Sequence, residues 1–138
     1  SHPGGSLGRQ LLTRVSDVMR KSTEVPKVHD DASFSEALVE MSRKRMGMTA
    51  VVDNNQAVTG IFTDGDLRRA LETTGDIRGV RISTVMTRNP RCIGPDRLAA
   101  EAVQVMESHK VNQLLVVDDD GRLVGALNMH DLFRAKAI

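Results

Sequence analysis

Gly60-Ile-Phe-Thr-Asp-Gly-Asp-Leu67 and Gly125-Ala-Leu-Asn-Met-His-Asp-Leu132 are two versions of one segment, set 65 positions apart. Each opens on a glycine and two apolar residues, passes through a residue able to cap a helix, and ends on Asp-Leu. The match extends outward: residues 37–70 slide onto 102–135 without a gap and leave 10 identities in 34 positions. Ala37 meets Ala102, Met41 meets Met106, Val51-Val52-Asp53 meets Val116-Val117-Asp118, and Arg69-Ala70 meets Arg134-Ala135. Upstream, Val18-Met19 matches Val85-Met86 at an offset of 67, so the first copy carries two extra residues near its start. Self-similarity of this kind marks a tandem duplication of one supersecondary unit, here of about 60 residues.

Both copies read alike. In the first, Val25-Pro26-Lys27-Val28 is extended, and Ser33-Phe-Ser-Glu36 has the spacing of a capping box. Phe34, Ala37, Leu38 and Met41 follow at i, i+3, i+4, i+7, which predicts a helix to about Arg45. Thr49–Val52 and Val58–Phe62 read as strands around the turn residues Asp53-Asn-Asn-Gln56, and a second helix runs from Asp64 to about Gly75. In the second copy, an extended Arg91–Ile93 leads to a helix carrying Leu98, Ala102, Val105, Met106 and His109. Strands Leu114–Val117 and Leu123–Leu127 and a last helix from Met129 complete it. Each unit is therefore β-α-β-β-α, and the fold class is α/β (α+β). A unit this small cannot bury both faces of its sheet, so the two should pack sheet to sheet with pseudo-two-fold symmetry.

Composition excludes several function classes. The 138 residues are 40% hydrophobic, far too apolar for disorder, and no stretch is long and apolar enough to span a bilayer. With 19 Lys+Arg against 18 Asp+Glu, the chain lacks the concentrated positive field that nucleic acid requires. It has no Trp, no Tyr and three Phe, too few aromatics for a base-stacking platform. Neither nucleic acid nor membrane is expected as a partner. The lone Cys92 forms no internal disulfide and reads as a small buried apolar residue. Together with the lack of a leader segment, it points to the cytoplasm.

The duplicated unit resembles a tandem cystathionine-β-synthase (CBS) domain pair, on the strength of the Val-Val-Asp strand ends and the two Gly-to-Asp-Leu segments. The resemblance divides the chain into 1–14, a linker remnant, 15–76, the first repeat, and 77–138, the second. Ser1-His-Pro-Gly-Gly-Ser-Leu-Gly-Arg-Gln-Leu-Leu12 is similar to the junction that joins a sugar-isomerase (SIS) domain to such a pair in bacterial arabinose-5-phosphate isomerases. Those aldose-ketose isomerases interconvert ribulose 5-phosphate and arabinose 5-phosphate towards the lipopolysaccharide sugar Kdo. The similarity implies that His2 is a remnant of the isomerase site and that residues 1–14 are mobile without their domain. It also implies that this piece has no catalytic residues of its own.

Thr63-Asp-Gly-Asp66 lies where a strand turns into a helix, so free amides and the positive end of the helix dipole converge there. A phosphate is stabilised at such a terminus, and Thr63 adds a hydroxyl. Asp66 would repel phosphate but suits the vicinal hydroxyls of a ribose. The same spacing is also that of a helix cap, and both readings stand. The resemblance assigns Thr63 and Asp66, with Asn128 and Asp131 in the second repeat, to phosphate and ribose. It places Gly47, Met48, Asn112 and Gln113 in the same cleft, with Val28, Ile61 and Ile93 as aliphatic walls for a base. His130, inside the second segment, is a candidate contact for phosphate or an acid.

The remaining features read as structure. Arg43-Lys44-Arg45 is expected to be a solvated helix end, Asp118-Asp119-Asp120-Gly121 a turn, and no His, Cys or acid spacing suggests a metal. The resemblance implies a regulatory module that requires no cofactor and senses a nucleotide-type small molecule, AMP or ATP or the pathway product CMP-Kdo. The alternative is an architectural dimerisation module without a ligand. Short apolar stripes at Leu67–Leu71 and Leu132–Ala135 suggest a homodimer, and a higher oligomer for a parent enzyme.

Overall fold

A computed structural model describes residues 11–135. The first repeat contributes β1 (Lys27–His29), α2 (Phe34–Lys44), β2 (Met48–Val52), β3 (Val58–Thr63) and α3 (Asp64–Thr74). The second contributes β5 (Cys92–Ile93), α5 (Ala99–His109), β6 (Gln113–Val117), β7 (Leu123–Asn128) and α6 (Met129–Arg134). Short helices α1 (Val15–Val18) and α4 (Ile82–Val85) precede each copy, and α4 runs into β4 (Thr87–Arg88). The β-α-β-β-α reading therefore holds for each copy.

The helix ends follow their local chemistry. Ser33 accepts from the Glu36 amide at 3.1 Å at the start of α2, and Arg45 in the left-handed region closes it. In the hairpin turns, Asp53 Oδ1 accepts from the amides of Asn55 and Ala57, and Asp118 Oδ1 from those of Asp120 and Arg122. The Asp that ends each Val-Val-Asp is thus the residue that folds the hairpin. Both ladders shift register inside the Val-Val pair, so the duplication extends to the same irregularity.

One sheet has the order β1-β2-β3-β4 and the other β5-β6-β7, with β1·β2 and β5·β6 parallel and the remaining neighbours antiparallel. Alternation along the strands separates three apolar layers. Val51 and Phe62 join Phe34, Ala37 and Ala70 in the first helix-covered core, where the Phe34 and Phe62 rings meet edge to face at 5.3 Å. Val116, Leu114 and Leu127 join Ala102, Met106 and Leu132 in the second. Between the sheets lie Met46, Met48, Ala50, Ile61, Leu115 and Ala126, the packing that the repeat reading anticipates. The hairpin tips also pair, with Val58 N donating to Gly121 O and Leu123 N to Gln56 O.

The packed units are not the sequence units. Val15 of α1 is buried in the second core, and Ile82 of α4 in the first. The backbone bonds are matched: Val15 N to Arg97 O and Ala99 N to Thr13 O on one side, Ile82 N to Ala32 O and Phe34 N to Val80 O on the other. Arg20 exchanges both bonds with Ala126 and so stands beside β7 as β4 stands beside β3. Thr13 and Arg14 are therefore docked on the second unit, which corrects the expectation of a mobile linker for the end of residues 1–14; residues 1–10, His2 among them, lie outside the described residues.

This exchange explains the repeated glycine. A Cβ on Gly60 would stand 2.5 Å from Met86 Sδ and 2.9 Å from the Thr87 carbonyl oxygen; one on Gly125 would meet Met19 Sδ and the Arg20 carbonyl oxygen. Only glycine lets the borrowed strand approach this closely.

Candidate functional site

β3 runs directly into α3 at Thr63, and the register sets Thr63 opposite Met48 at the edge of the sheet interface. Asp66, 5% exposed, turns back onto this corner. Its Oδ2 accepts from the Thr63 amide at 3.0 Å and from Thr63 Oγ1 at 3.1 Å, while its own amide donates to Thr63 Oγ1 at 3.3 Å. Oδ1 accepts from Thr87 Oγ1 at 2.8 Å and from the Arg69 guanidinium at 2.6 Å. The cap that the sequence allowed is thus formed.

The cap also forms one wall of an opening. A cavity of about 330 Å³ is lined by Ile61, Thr63, Asp66, Arg69 and Thr87 from the first unit. The loop and helix end of the second repeat supply Asn89, Pro90, Arg91, His109, Val111 and Gln113. Gly47 lies at its rim with φ +70°: a Cβ there would stand 3.0 Å from Asp64 Oδ2 and 3.6 Å from Gln113 Nε2. Its carbonyl accepts from the Asp64 amide at 3.1 Å, which ties the rim to the start of α3.

The lining combines hydrogen-bonding groups with positive charge and apolar walls. Asp66 and Gln113 offer acceptors, and Gln113, Thr63 and Thr87 offer donors. Arg69 and Arg91 supply fixed positive charge. Ile61, Pro90 and Val111 give apolar walls without an aromatic face. Arg69 is 68% exposed on its side chain, so it can leave Asp66 for an incoming anion without breaking packing. Among the described residues, no group of three His, Cys, Asp or Glu is placed to hold a metal ion.

Of the residues expected in such a cleft, the fold brings together Ile61, Thr63, Asp66 and Gln113, with Gly47 at the rim. Val28 and Ile93 do not reach it. Their register partners are Val51 and Val116, so alternation aims them at the helices, where they pack in the two outer cores. That corrects their assignment as walls for a base. Met48 is fully buried between the sheets and does not line the cavity. Asn112 is exposed, and its carbonyl accepts from the Met129 amide. His130 is exposed on α6 and lines neither this cavity nor the groove beside Asp131.

The second cap differs from the first. Asn128 accepts from the Asp131 amide at 2.7 Å, but Asp131 is held by Arg20, with Nε 2.9 Å from Oδ2 and Nη2 3.3 Å from Oδ1. Lys44 is also no solvated cation: it binds Glu40 at 2.7 Å, with both side chains largely buried, and its carbonyl accepts from Arg20 Nη1 at 2.8 Å. Sequence reasoning missed Thr87, Arg20, Arg69, Asn89, Arg91 and His109. A signal existed for the first two, because one further step along the match of Val18-Met19 to Val85-Met86 aligns Arg20 with Thr87.

The CBS domain family model matches residues 15–73 and 82–138. The chain is 53% identical over 135 residues to the arabinose 5-phosphate isomerase KdsD of Pseudomonas aeruginosa, which covers 98% of this chain and 41% of that protein. It is 46% identical over 138 residues to KdsD of Escherichia coli, covering 100% and 42%. The chain thus spans about two-fifths of the length of the curated relatives it matches. Among solved structures it is similar to the CBS domain pair of protein MJ0100 in complex with 5'-methylthioadenosine and S-adenosyl-L-methionine. There the TM-score is 0.81 and the identity 26%, with 91% of this chain and 96% of that one covered. It is also similar to CBSX2, a CBS-pair protein of Arabidopsis thaliana, in complex with AMP: TM-score 0.77, identity 25%, coverage 90% and 96%.

Proposed function

The chain belongs to the CBS domain family, and on that premise we propose that it is the nucleotide-sensing regulatory pair of an arabinose-5-phosphate isomerase. In this reading the Thr63–Asp66 cleft binds an adenine nucleotide or CMP-Kdo, and occupancy biases an attached sugar-isomerase domain. The observation that carries it is the buried Asp66 carboxylate opening into a cavity whose opposite side holds Arg91, His109 and Gln113. A ribose presents two hydroxyls to Oδ1 in place of Thr87 Oγ1 and Arg69, and the released guanidinium turns to the phosphate. Because protein donors are exchanged for ligand donors, the net gain is small and the affinity is modest. CMP-Kdo adds a carboxylate, which suits the arginines of the rim.

The likeness to pairs solved with AMP and with methylthioadenosine supports a nucleotide-type ligand. The KdsD relatives support the isomerase context. Calorimetry of AMP and CMP-Kdo against the wild type and Asp66→Ala tests the reading. Binding of either, lost in the variant, supports it; no heat with either ligand up to millimolar concentration refutes it.

A second reading has its own observation. Leu71 on α3 and Phe133 on α6 are 49% and 63% exposed, on the helices expected to meet a second copy. A purely architectural module would use this face to dimerise and would bind nothing. The two readings separate in the same titration.

A further inference from the structure

Thr87 and Arg20 occupy the same station in the two halves, each on the borrowed strand that lies against the glycine of the repeated segment. Thr87 reaches the first aspartate with one short hydroxyl, and a cavity of about 330 Å³ remains beside it. Arg20 reaches the second aspartate with two guanidinium nitrogens, and its third nitrogen binds the Lys44 carbonyl. Lys44 is the counterpart of His109, a residue of the opposite wall in the first cleft. The arginine therefore spans the second cleft from wall to wall. Its floor is filled as well: Met46 and Met48 are 3% and 0% exposed where the first cleft has Val111 and Gln113 at its surface.

The open space that remains beside Asp131, about 690 Å³, is lined by Asp17–Lys21, Glu24 and Arg134. Asn128 and Ala126, the counterparts of Thr63 and Ile61, do not line it. It holds Arg20, Asp131 and Arg134, the counterparts of Thr87, Asp66 and Arg69, but not Lys44, Met46 or Met48. It is therefore only the outer part of the second cleft, and the Arg20 side chain at its inner end is only 21% exposed.

We infer that Arg20 is an internal occupant of the second cleft, so that the chain takes one ligand, at Asp66, and not two. A guanidinium held by a two-pronged carboxylate contact and a carbonyl satisfies the acceptors that a ribose would need. It also keeps the charge of Arg20 paired with Asp131, so a phosphate gains nothing from that guanidinium. The inference rests on the nucleotide reading above but concerns a different residue, and the two can fail separately.

The test is the number of AMP molecules bound by the full 138-residue chain, measured by calorimetry on the wild type, Arg20→Thr and Arg20→Lys. Threonine copies position 87; lysine keeps the charge but cannot fork onto Asp131 while also holding the Lys44 carbonyl. One site in the wild type and a second, weaker site in Arg20→Thr, surviving Asp66→Ala in that background, is the expected result. No site in the wild type but one in Arg20→Thr sustains the occupant role while refuting nucleotide sensing at Asp66. Two sites in the wild type overturn the inference. So does one site in the wild type and in both variants, although sensing at Asp66 then stands. No site in any of the three chains overturns both. Should Arg20→Thr prove unfolded by its melting profile, two readings decide instead: the site count of Arg20→Lys, and the Arg20 Nε–H resonance of the wild type. That resonance should stay in place as AMP saturates the first cleft; its displacement by the first equivalent overturns the inference.

Discussion

Replacing Gly60 by alanine tests the close seating of β4 on β3. The new methyl would stand 2.5 Å from Met86 Sδ and 2.9 Å from the Thr87 carbonyl oxygen. The thioether can swing aside, but the carbonyl belongs to the strand itself and can retreat only if β4 lifts from β3. Overpacking of this kind costs about 1–3 kcal/mol, with a strand displacement at the upper end. Alanine also restricts the unfolded chain, which returns roughly 0.4–1 kcal/mol. A net loss of about 2 kcal/mol corresponds to a fall in Tm of roughly 7 °C for a domain of this length. Gly94→Ala is the control: its Cβ would have Arg97 Cγ at 3.8 Å as its nearest neighbour, an ordinary contact, so its melting point should hold or rise slightly. Because β4 carries Thr87, part of the wall of the cavity, the Gly60 variant should lose ligand affinity as well as stability. Calorimetric melting of the three proteins decides the matter. A Gly60→Ala chain as stable as the Gly94→Ala chain would show that the borrowed strand is not seated as described.

Asp66→Ala should weaken AMP or CMP-Kdo by about ten- to a hundredfold, the worth of hydrogen bonds to a charged group, as read by titration. His29 bonds Asn54 and Asp31, and these partners raise its pKa above the ordinary 6.5. Its contribution to stability is therefore complete below that value and lost as pH rises through the folded-state pKa, so His29→Gln should flatten the pH dependence of Tm on that limb; an unchanged profile would exclude the role. Leu71→Glu combined with Phe133→Glu should bring the light-scattering mass to that of one 15.1 kDa chain, whereas a wild type already at that mass would remove the case for dimerisation.

The duplication made most of the architecture legible before any coordinates. The period of apolar residues located α2 and α5, and the Asp after each Val-Val located the turns. The exchange of α1 and α4 was not legible, because a repeat shows which residues correspond and not which copy they pack against. Val15 and Ile82 are apolar in either arrangement, and it takes the folded contacts, such as the backbone bonds to residues 97 and 32, to distinguish the two. The cleft was half legible for a related reason. Thr63 and Asp66 lie in the repeated segment, but the opposite wall comes from Arg91, His109 and Val111, which no local pattern connects to it. Val28 and Ile93 failed because extended residues alternate between faces, and the register needed to choose the face belongs to the folded sheet.

Arg20 and Asp131 are 111 residues apart in the chain. During synthesis, the segment that carries Arg20 emerges early and has no seat until β7 has left the ribosome. Until then its two apolar anchors, Val15 and Met19, are exposed to whatever is nearby, and a neighbouring nascent chain could supply β7 in place of its own. A single repeat cut from the gene would face the same choice permanently, and two such halves would have to trade edges to complete their sheets. The duplicated chain can be understood as that traded pair joined end to end, a covalent record of an older association between identical halves.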